Sequence, residues 1–428
     1  MFKQDILQLA KGVRDFLPKE KIAREKIIDT LKNVFEIFGY SPIETPIFER
    51  FSLFSFKHIQ GEEADILKES FTFQDNGKRK LILRTELTIP FARFIGMNQN
   101  LKMPFKRYQI GQIFRDGPIK LGRYREFWQC DVDVVGIKNE IIDAEIIELA
   151  LNVFKKLNLD IEIKINNRKI LNAILDQIKI PETIQDQIII SIDKLDKIGK
   201  KSVIKELEKK GLLIQDINKI LELINIDGKN NQEKIDHLKK ILINQEGLLE
   251  IEKTLSYLDD TSDVIFLPSL ARGLAYYTGN VFEIFLKDKS KISGSLAAGG
   301  RYDKMIGKFL NSEKEIPAIG ISFGLEPIFD ALKIFQKINK KTVVEILFVP
   351  IGEQNIQPGL KIIKELRAKG YKVDVDYLFR SPSKALQYAN DMNIEKVLLF
   401  GDVEREKNEV CLKNMQTGKQ ENVKISNL

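Results

Sequence analysis

Cysteine, histidine and tryptophan are scarce in this chain of 428 residues, which has two cysteines, two histidines and one tryptophan. Cys130 and Cys411 alone cannot build a cysteine zinc site and give no disulfide framework. His58 and His237 do not have the spacing of metal ligands. The composition therefore excludes a cysteine-built metal centre and a disulfide-stapled fold, and leaves any other metal unassigned.

Long hydrophobic runs are also missing. No stretch of about 18 uncharged apolar residues occurs, so we expect no membrane-spanning helix and no membrane partner. Residues 1–16 lack an apolar run before a small-residue cleavage site, so we expect a cytoplasmic protein. The formal net charge is +7, which suits a polyanionic partner such as RNA, although lysine-rich composition alone could produce it.

The length exceeds what one hydrophobic core usually organises, so we expect several domains. Residues 1–335 predict an α+β domain built on antiparallel strands, with a helical insertion at about residues 166–258, where Ile, Leu and Lys recur at helical spacing. The polar residues 336–341 predict a linker. Strands and helices alternate in residues 342–428, which predicts a small parallel α/β domain.

Local signals predict the first elements of this α+β domain. A helix is expected to begin at Pro18 and to end at Gly39, a typical C-capping residue. Residues 41–48 read as a strand that contains two prolines, so it should lie at a sheet edge or an interface. The Asn76–Gly77 pair predicts a hairpin turn, whereas the Gly299–Gly300 pair on its own predicts only a turn.

The segment FRDGPIKLGRYREFWQCDVDVVG, residues 114–136, carries the most specific chemistry. Read with a period of two, it has one apolar face and one polar face. The apolar face is formed by Trp128, Cys130, Val132 and Val134. The polar face is formed by Arg123, Arg125, Gln129, Asp131 and Asp133. A half-exposed strand could show this alternation, but arginines suit phosphates and carboxylates suit an ammonium or an imidazole N–H, so the face fits a cleft for a zwitterion beside a polyphosphate.

Four further segments accompany it. They are LRTELT at residues 83–88, SLARGLAYYTGNVFEIF at 269–285, AGGRYD at 298–303 and GISFGLEP at 320–327. Together with residues 114–136 they resemble the signature motifs of class II aminoacyl-tRNA synthetases in their histidyl form. The resemblance implies a class II antiparallel-sheet catalytic domain, followed by an anticodon-binding α/β domain.

The resemblance also implies roles for individual residues. Arg115 would hold the α-phosphate of ATP and the histidine carboxylate, and Arg272 would place a fixed positive charge at the α-phosphate. The residues expected to bind histidine are Glu86, Thr88, Arg115, Gln129, Asp133, Tyr276, Tyr277 and Tyr302. The residues expected to bind ATP, which would enter with Mg²⁺, are Arg115, Arg123 and Glu326.

Three positions depart from the family pattern. Asp133 stands where a glutamate is common, and Ala275 stands where an acidic residue is usual. Pro327 occupies the place of the motif 3 arginine, which normally stacks on adenine. The loss of that arginine should weaken ATP binding unless another cation replaces it.

Other segments extend the resemblance over nearly the whole chain. Residues 44–46 are similar to motif 1, whose proline lies at a dimer interface, and this implies a homodimer. Residues 91–93 and 191–197 are similar to the eukaryotic and archaeal branch of the family. Residues 374–376 are similar to the anticodon-binding domain.

The implied function is a histidine–tRNA ligase that activates histidine with ATP and transfers it to tRNA(His). The alternative is a non-catalytic, histidine-binding paralogue that regulates ATP phosphoribosyltransferase. Pro327 and Ala275 favour this alternative, and the C-terminal α/β domain opposes it, since such subunits usually lack that domain. A purely RNA-binding module is a third possibility, which the polar strand face disfavours.

Overall fold

A computed structural model describes residues 5–58, 67–119, 122–271, 276–290, 292–310, 312, 314–335 and 340–428. The chain forms two compact units, one of Met1–Arg14 with Ile27–Ile334 and one of Asp15–Lys26 with Phe335–Leu428. Among the described helices, none combines the length and the apolar composition needed to span a membrane.

The strands and helices are numbered in chain order. The described strands are β1 (Ser41–Pro42), β2 (Phe48–Arg50), β3 (Thr72–Gln74), β4 (Lys80–Leu83), β5 (Phe105–Phe114), β6 (Glu126–Val135), β7 (Ile161–Asn167), β8 (Val264–Phe266), β9 (Asn280–Leu286), β10 (Ala297–Arg301), β11 (Ala318–Gly324), β12 (Ile346–Pro350), β13 (Val373–Val375), β14 (Lys396–Phe400), β15 (Glu409–Asn414) and β16 (Gln420–Lys424). The described helices are α1 (Pro18–Ile37), α2 (Phe51–His58), α3 (Thr88–Met97), α4 (Ile141–Lys156), α5 (Arg168–Gln177), α6 (Glu182–Asp193), α7 (Leu195–Ile198), α8 (Lys200–Lys209), α9 (Ile214–Ile224), α10 (Asn231–Ile241), α11 (Glu246–Ser256), α12 (Met305–Phe309), α13 (Leu325–Phe335), α14 (Ile356–Ala368), α15 (Pro382–Asp391) and α16 (Asp402–Lys407).

An eight-stranded sheet organises the larger unit, in the order β1-β5-β6-β11-β10-β9-β7-β8. The interior pairs are antiparallel, which confirms the predicted antiparallel core, and only the edge pairs β1 with β5 and β7 with β8 are parallel. A smaller sheet, β2-β4-β3, contains the predicted hairpin of β3 and β4. The helices α5 to α11 lie between β7 and β8 in the chain.

The predicted N-terminal helix is confirmed as α1. Its residues Ile27, Leu31 and Val34 are buried, and Gly39 has φ 82°, the left-handed conformation in which a C-capping glycine is at no disadvantage. The strand predicted for residues 41–48 is divided into β1 and β2. Both pieces are edge strands, as the prolines in this segment require.

The structure corrects the interpretation of the Gly299–Gly300 pair, which lies in the interior strand β10 rather than in a turn. A Cβ atom on Gly299 would lie 2.1 Å from the carbonyl oxygen of Gly320 in β11, so only glycine allows the two strands to approach this closely. Strand β7 was also not predicted, although Ile161, Ile163 and Ile165 alternate along it and are buried.

Strand β10 is anchored by a buried polar network on one side. Arg301 forms an ion pair with Asp143 of α4, and both side chains are almost fully buried. Asp143 also accepts a hydrogen bond from Asn280 of β9, whose side chain in turn donates to Thr254 of α11. Because every partner in this network is polar and buried, the loss of one would leave others unsatisfied.

The smaller unit contains a five-stranded sheet of order β13-β12-β14-β15-β16. The three strands β13, β12 and β14 are parallel, as predicted, with α14 and α15 in the connections. The antiparallel hairpin of β15 and β16, which extends this sheet beyond β14, was not predicted. Its turn is closed by a hydrogen bond of 2.9 Å from the Gly418 N–H to the Asn414 carbonyl oxygen, with Gly418 at φ 72°.

Candidate active site

A cavity of about 80 Å³ lies against strands β6, β10 and β11 of the larger unit. Its lining residues are Glu86, Thr88, Arg115, Gln129, Asp131, Asp133, Tyr276, Tyr277, Ala298, Gly299, Gly300, Tyr302, Gly320, Ile321 and Ser322. Every residue that the sequence predicted to bind histidine is among them. The structure therefore brings together side chains that are separated by more than two hundred positions in the sequence.

The remaining predicted site residues are Arg123, Arg272 and Glu326. Arg272 and its neighbour Ala275 are outside the described residues. Arg123 is exposed and precedes β6, and it does not line the cavity. Glu326 does not line it either, because its buried carboxylate accepts a hydrogen bond of 2.9 Å from the backbone N–H of Trp128.

Strand β6 presents the predicted polar face to the cavity. Gln129, Asp131 and Asp133 line the cavity, whereas Cys130 and Val132 between them are fully buried in the core. Asp131 was not assigned a role from the sequence, although the period-two pattern placed it on this face. The side-chain oxygen of Gln129 and one carboxylate oxygen of Asp131 are buried without a hydrogen-bond partner among the described residues, so a ligand that donates hydrogen bonds would satisfy them.

The base of the cavity contains a buried charge cluster. Arg107 of β5 lies 2.6 Å from the Asp133 carboxylate, and both side chains are almost inaccessible to solvent. Tyr302 donates a hydrogen bond from its hydroxyl to the same carboxylate. The Arg107 guanidinium also lies 4.3 Å from the centre of the Phe91 ring. Sequence reasoning missed Arg107, because only the pairing of β5 with β6 places it opposite Asp133.

Burial dominates the protonation of the two aspartates. It raises the pKa of Asp131 to about 7, with the Asp133 charge adding to the rise and Arg107 opposing it. Burial also raises the pKa of Asp133, against the opposing effects of Arg107 and the Tyr302 hydrogen bond. Two carboxylates therefore share one guanidinium, and a cationic ligand would stabilise their ionised forms.

Arg115 follows strand β5 and is held by the segment that precedes α3. Its Nε donates a hydrogen bond of 2.9 Å to the Thr85 carbonyl oxygen, and its guanidinium lies 5.3 Å from the centre of the Phe127 ring. Glu86, which follows Thr85 in the sequence, contributes its carboxylate to the same cavity. A carboxylate and a guanidinium are thus presented side by side, as an amino acid zwitterion requires.

Aromatic side chains form one wall. The ring centres of Tyr276 and Tyr277 are 4.7 Å apart, and the ring of Tyr302 stands nearly perpendicular to that of Tyr276 at 6.2 Å. Tyr277 and Tyr302 are buried. A flat heteroaromatic ring would find both apolar faces and hydrogen-bonding groups here.

Pro327 is the third residue of α13. The first turn of a helix tolerates proline, because its missing N–H would have no partner within the helix. A Cβ atom on Gly324 would lie 2.7 Å from the Pro327 ring, so the start of α13 is closely packed against the end of β11. The substitution is therefore accommodated by the fold without rearrangement of the helix.

Comparison with known proteins agrees with this arrangement. A family model described as histidyl-tRNA synthetase matches residues 12–328, and one described as anticodon binding domain matches residues 345–428. A histidine–tRNA ligase 1 of Bacillus cereus is 42% identical and is aligned over 98% of this chain and 97% of its own. The crystal structure of histidyl-tRNA synthetase from Nostoc is 30% identical, with a TM-score of 0.84 over 98% of this chain and 97% of that one.

The fold and the cavity define a class II aminoacyl-tRNA synthetase, with its catalytic sheet followed by an anticodon-binding domain. Both matches extend over nearly the full length of the chain and of the relatives. The chain belongs to the histidyl-tRNA synthetase family.

Two sequence-based interpretations are affected. The relatives named above are bacterial, so they give no support to the assignment to the eukaryotic and archaeal branch. A structure from Bacillus halodurans, titled as an ATP phosphoribosyltransferase regulatory subunit or histidyl-tRNA synthetase, is 21% identical with a TM-score of 0.75, covers 92% of this chain and 98% of its own, and shares the fold. The match of an anticodon-binding domain and the ligase relative favour the synthetase over the regulatory paralogue.

Proposed function

We propose that this chain is a histidine–tRNA ligase whose amino acid site is the cavity against β6, β10 and β11. In the first step an oxygen of the histidine carboxylate attacks the α-phosphate of ATP. The bond from the α-phosphorus to the bridging oxygen breaks, so pyrophosphate leaves and histidyl-adenylate remains. In the second step a hydroxyl of the tRNA 3′-terminal adenosine attacks the histidyl carbonyl, and AMP leaves. The observation that carries the proposal is the convergence of all the predicted histidine-binding residues on one cavity.

Different residues of the cavity would bind the three functional groups of the histidine substrate. Its ammonium group would donate to Glu86 and to the unsatisfied oxygens of Gln129 and Asp131. Its carboxylate would lie at Arg115. Its imidazole would pack on Tyr276 and Tyr277 and donate an N–H to Asp133, with Tyr302 and Thr88 completing the cavity. Each contact pairs opposite charges or a donor with an acceptor, which orients the carboxylate for attack.

ATP would be held mainly by positive charge. Arg115 would contact the α-phosphate, Arg123 the terminal phosphates, and Arg272 would stabilise the charge that develops in the transition state. Glu326 remains the predicted acidic residue of the ATP site, and its bond to Trp128 fixes its position beside β6. The described residues include no group of three or more His, Cys, Asp or Glu side chains arranged to hold a metal ion. We infer that Mg²⁺ enters with the ATP phosphates, as is usual for this ion.

The remaining assignments concern the whole chain. We propose a catalytic domain of residues 1–335 with the helical insertion at about residues 166–258, a linker at 336–341 and an anticodon-binding domain at 342–428. The net charge of +7 supports tRNA binding. A cytoplasmic location follows from the role of such an enzyme in protein synthesis.

A homodimer is also proposed. The motif 1 segment leads into β2, where Phe48 is 53% exposed, and Phe73 on β3 is 41% exposed. Their rings are 6.1 Å apart, so they form one apolar patch on the small sheet. A second copy of the chain would bury this patch, which otherwise faces water.

The decisive measurement is histidine-dependent exchange of pyrophosphate into ATP, with the wild type beside Arg272→Ala. We expect exchange in the wild type and a fall of at least about a hundredfold in the variant, the effect of removing a preorganised transition-state cation. Arg79→Ala is the control, since Arg79 is an exposed arginine of the hairpin that pairs with Asp75. Absence of exchange in a wild type that still binds histidine would favour the regulatory paralogue instead.

A further inference from the structure

Three consecutive residues between β4 and α3 have three different tasks. Glu86 lines the cavity, and the Thr85 carbonyl oxygen holds Arg115. Arg84 reaches neither the cavity nor Arg115, and it is 4% exposed. A buried arginine therefore stands immediately before two residues of the proposed site.

The Arg84 side chain binds the backbone of two other segments. Its Nη1 donates a hydrogen bond of 2.7 Å to the Thr45 carbonyl oxygen and lies 3.4 Å from that of Pro46. Its Nε donates a hydrogen bond of 2.7 Å to the Gln112 carbonyl oxygen of β5. The guanidinium therefore joins residues 42–47, which include the motif 1 residues 44–46 and are called the motif 1 segment here, to the strand that ends beside Arg115.

The main chain of Arg84 joins the same two segments. Its N–H donates to the Ile47 carbonyl oxygen, and its carbonyl oxygen accepts from the Phe114 N–H, both at 2.9 Å. Side chain and main chain thus hold residue 84 between the motif 1 segment and the end of β5. The chain on either side of this point carries Glu86 and Arg115 into the cavity.

Arginine suits this position for a physical reason. Proline has no N–H, so a segment that contains Pro42 and Pro46 cannot pair fully as a strand, and its buried carbonyl oxygens need donors from elsewhere. A guanidinium offers five N–H groups in a rigid plane, enough to bind carbonyls of two segments at once. A lysine ammonium has three donors around one point and cannot span them in the same way.

The surroundings leave little freedom. A Cβ atom on Gly111 would lie 2.5 Å from the Arg84 Nη2, so the glycine at this position of β5 leaves the space that the guanidinium occupies. Because the Arg84 side chain is buried and closely packed, it is confined to one orientation. That orientation in turn fixes the positions of Thr85 and Glu86 relative to β5.

We propose that Arg84 is a positioning residue for the adenylation step. Its hydrogen bonds to the motif 1 segment and to β5 fix the positions of Glu86 and of the Thr85 carbonyl oxygen that binds Arg115. This role rests on the proposed function, because it assigns Glu86 and Arg115 to histidine and the α-phosphate. Arg84 itself touches no substrate. Its loss would shift Glu86, assigned to the histidine ammonium group, and the Thr85 carbonyl oxygen that holds Arg115, assigned to the carboxylate. It would also remove a positive charge that interacts with Asp131 in the cavity, a charge that Arg84→Lys retains.

The expected kinetic parameters distinguish a positioning role from a loss of folded, active protein. In Arg84→Ala the rate of histidine-dependent pyrophosphate exchange per active site should fall about tenfold to a hundredfold, the cost of a displacement of about 1 Å in reacting groups. The KM for histidine should rise more than the KM for ATP, because Arg123 and Arg272, two of the three arginines assigned to ATP, are untouched. Active sites would be counted by the burst of adenylate formation.

Added guanidinium ion provides the rescue. At concentrations of a few millimolar, well below those that denature proteins, it should occupy the vacated space and restore part of the lost rate in Arg84→Ala. Arg84→Lys should not restore it, because one ammonium cannot serve both segments. Gly111→Ala, which crowds Nη2 while leaving Arg84 in place, should show the same signature in weaker form.

Arg93→Ala is the matched control. Arg93 of α3 is partly buried and donates to Glu49 of β2 at 2.7 Å, so its loss should lower the melting temperature without changing the rate per active site. Wild-type exchange together with an unchanged rate per active site in Arg84→Ala would overturn the proposal. So would a loss confined to the number of active sites, which would show a purely structural role. No exchange in the wild type would instead contradict the proposed function.

Discussion

At the scale of single residues, Asp131 combines a cavity position with an unusual protonation. Burial raises its pKa from 3.8 to about 7, with Asp133 adding to the rise and Arg107 opposing it. The folded protein therefore retains a proton that the unfolded chain releases between about pH 4 and pH 7. A retained proton means that folding stability decreases as the pH rises through this window and is constant above it.

Asp131→Asn should remove this pH dependence. Relative to the wild type, the variant should gain free energy of unfolding as the pH rises from about 4 to about 7, by up to on the order of 4 kcal/mol. Urea unfolding of both proteins across this range measures the difference, and Asp133, Arg107 and Glu86 remain in both. A difference that stays constant with pH would mean that folding does not raise the pKa of Asp131.

The sequence identified residues well where a short segment carries the information. Glu86, Gln129 and Tyr302 each belong to a local motif, and all three reach the cavity. Arg107 carries no such motif, and its role depends on the register of β5 against β6, which is a contact between distant segments. Local patterns therefore predicted the lining of the cavity, but not the charge that neutralises its base.

At the scale of elements, the pairing of β11 with β6 depends on a glycine. Gly320 lies opposite Asp133, and a Cβ atom there would lie 2.0 Å from the Asp133 carboxylate oxygen and 2.7 Å from the Val132 carbonyl oxygen. A larger residue would displace the carboxylate from Arg107 and Tyr302.

Gly320→Ala should therefore raise the KM for histidine at least about tenfold, a loss of about 1.4 kcal/mol, with little effect on the KM for ATP. Steady-state pyrophosphate exchange measures both constants. Gly294→Ala is the control, because among the described residues no atom beyond its chain neighbours lies within 4 Å of a Cβ at that position. Equal KM values for Gly320→Ala and the wild type would contradict the assignment of Asp133 to histidine.

At the scale of the whole molecule, the class of fold was predictable and the sheet order was not. The Asn76–Gly77 turn predicted the pairing of β3 with β4, because these two strands are neighbours in the sequence. The place of β10 between β9 and β11 was missed, because two glycines in succession resemble a turn until the close approach to Gly320 is seen.

The apolar patch of Phe48 and Phe73 gives a prediction at this scale. Phe73→Glu should shift the solution mass from about twice 49.3 kDa to the monomer value, because a buried, unpaired carboxylate strongly disfavours an apolar interface. Light scattering after size-exclusion chromatography measures the mass. Ile243→Glu, at an isoleucine that is 87% exposed between α10 and α11, should leave the mass unchanged.

Strand β10 serves two structures at once. Arg301 extends to the buried network with Asp143, and the next residue, Tyr302, extends to the cavity and Asp133. An insertion of one residue before Arg301 would turn this cation toward the cavity, whereas a deletion there would turn the Tyr302 phenol toward the buried charges. Variation in substrate preference at this wall should therefore be reached through single replacements, and changes of length should be tolerated only in the loops at either end.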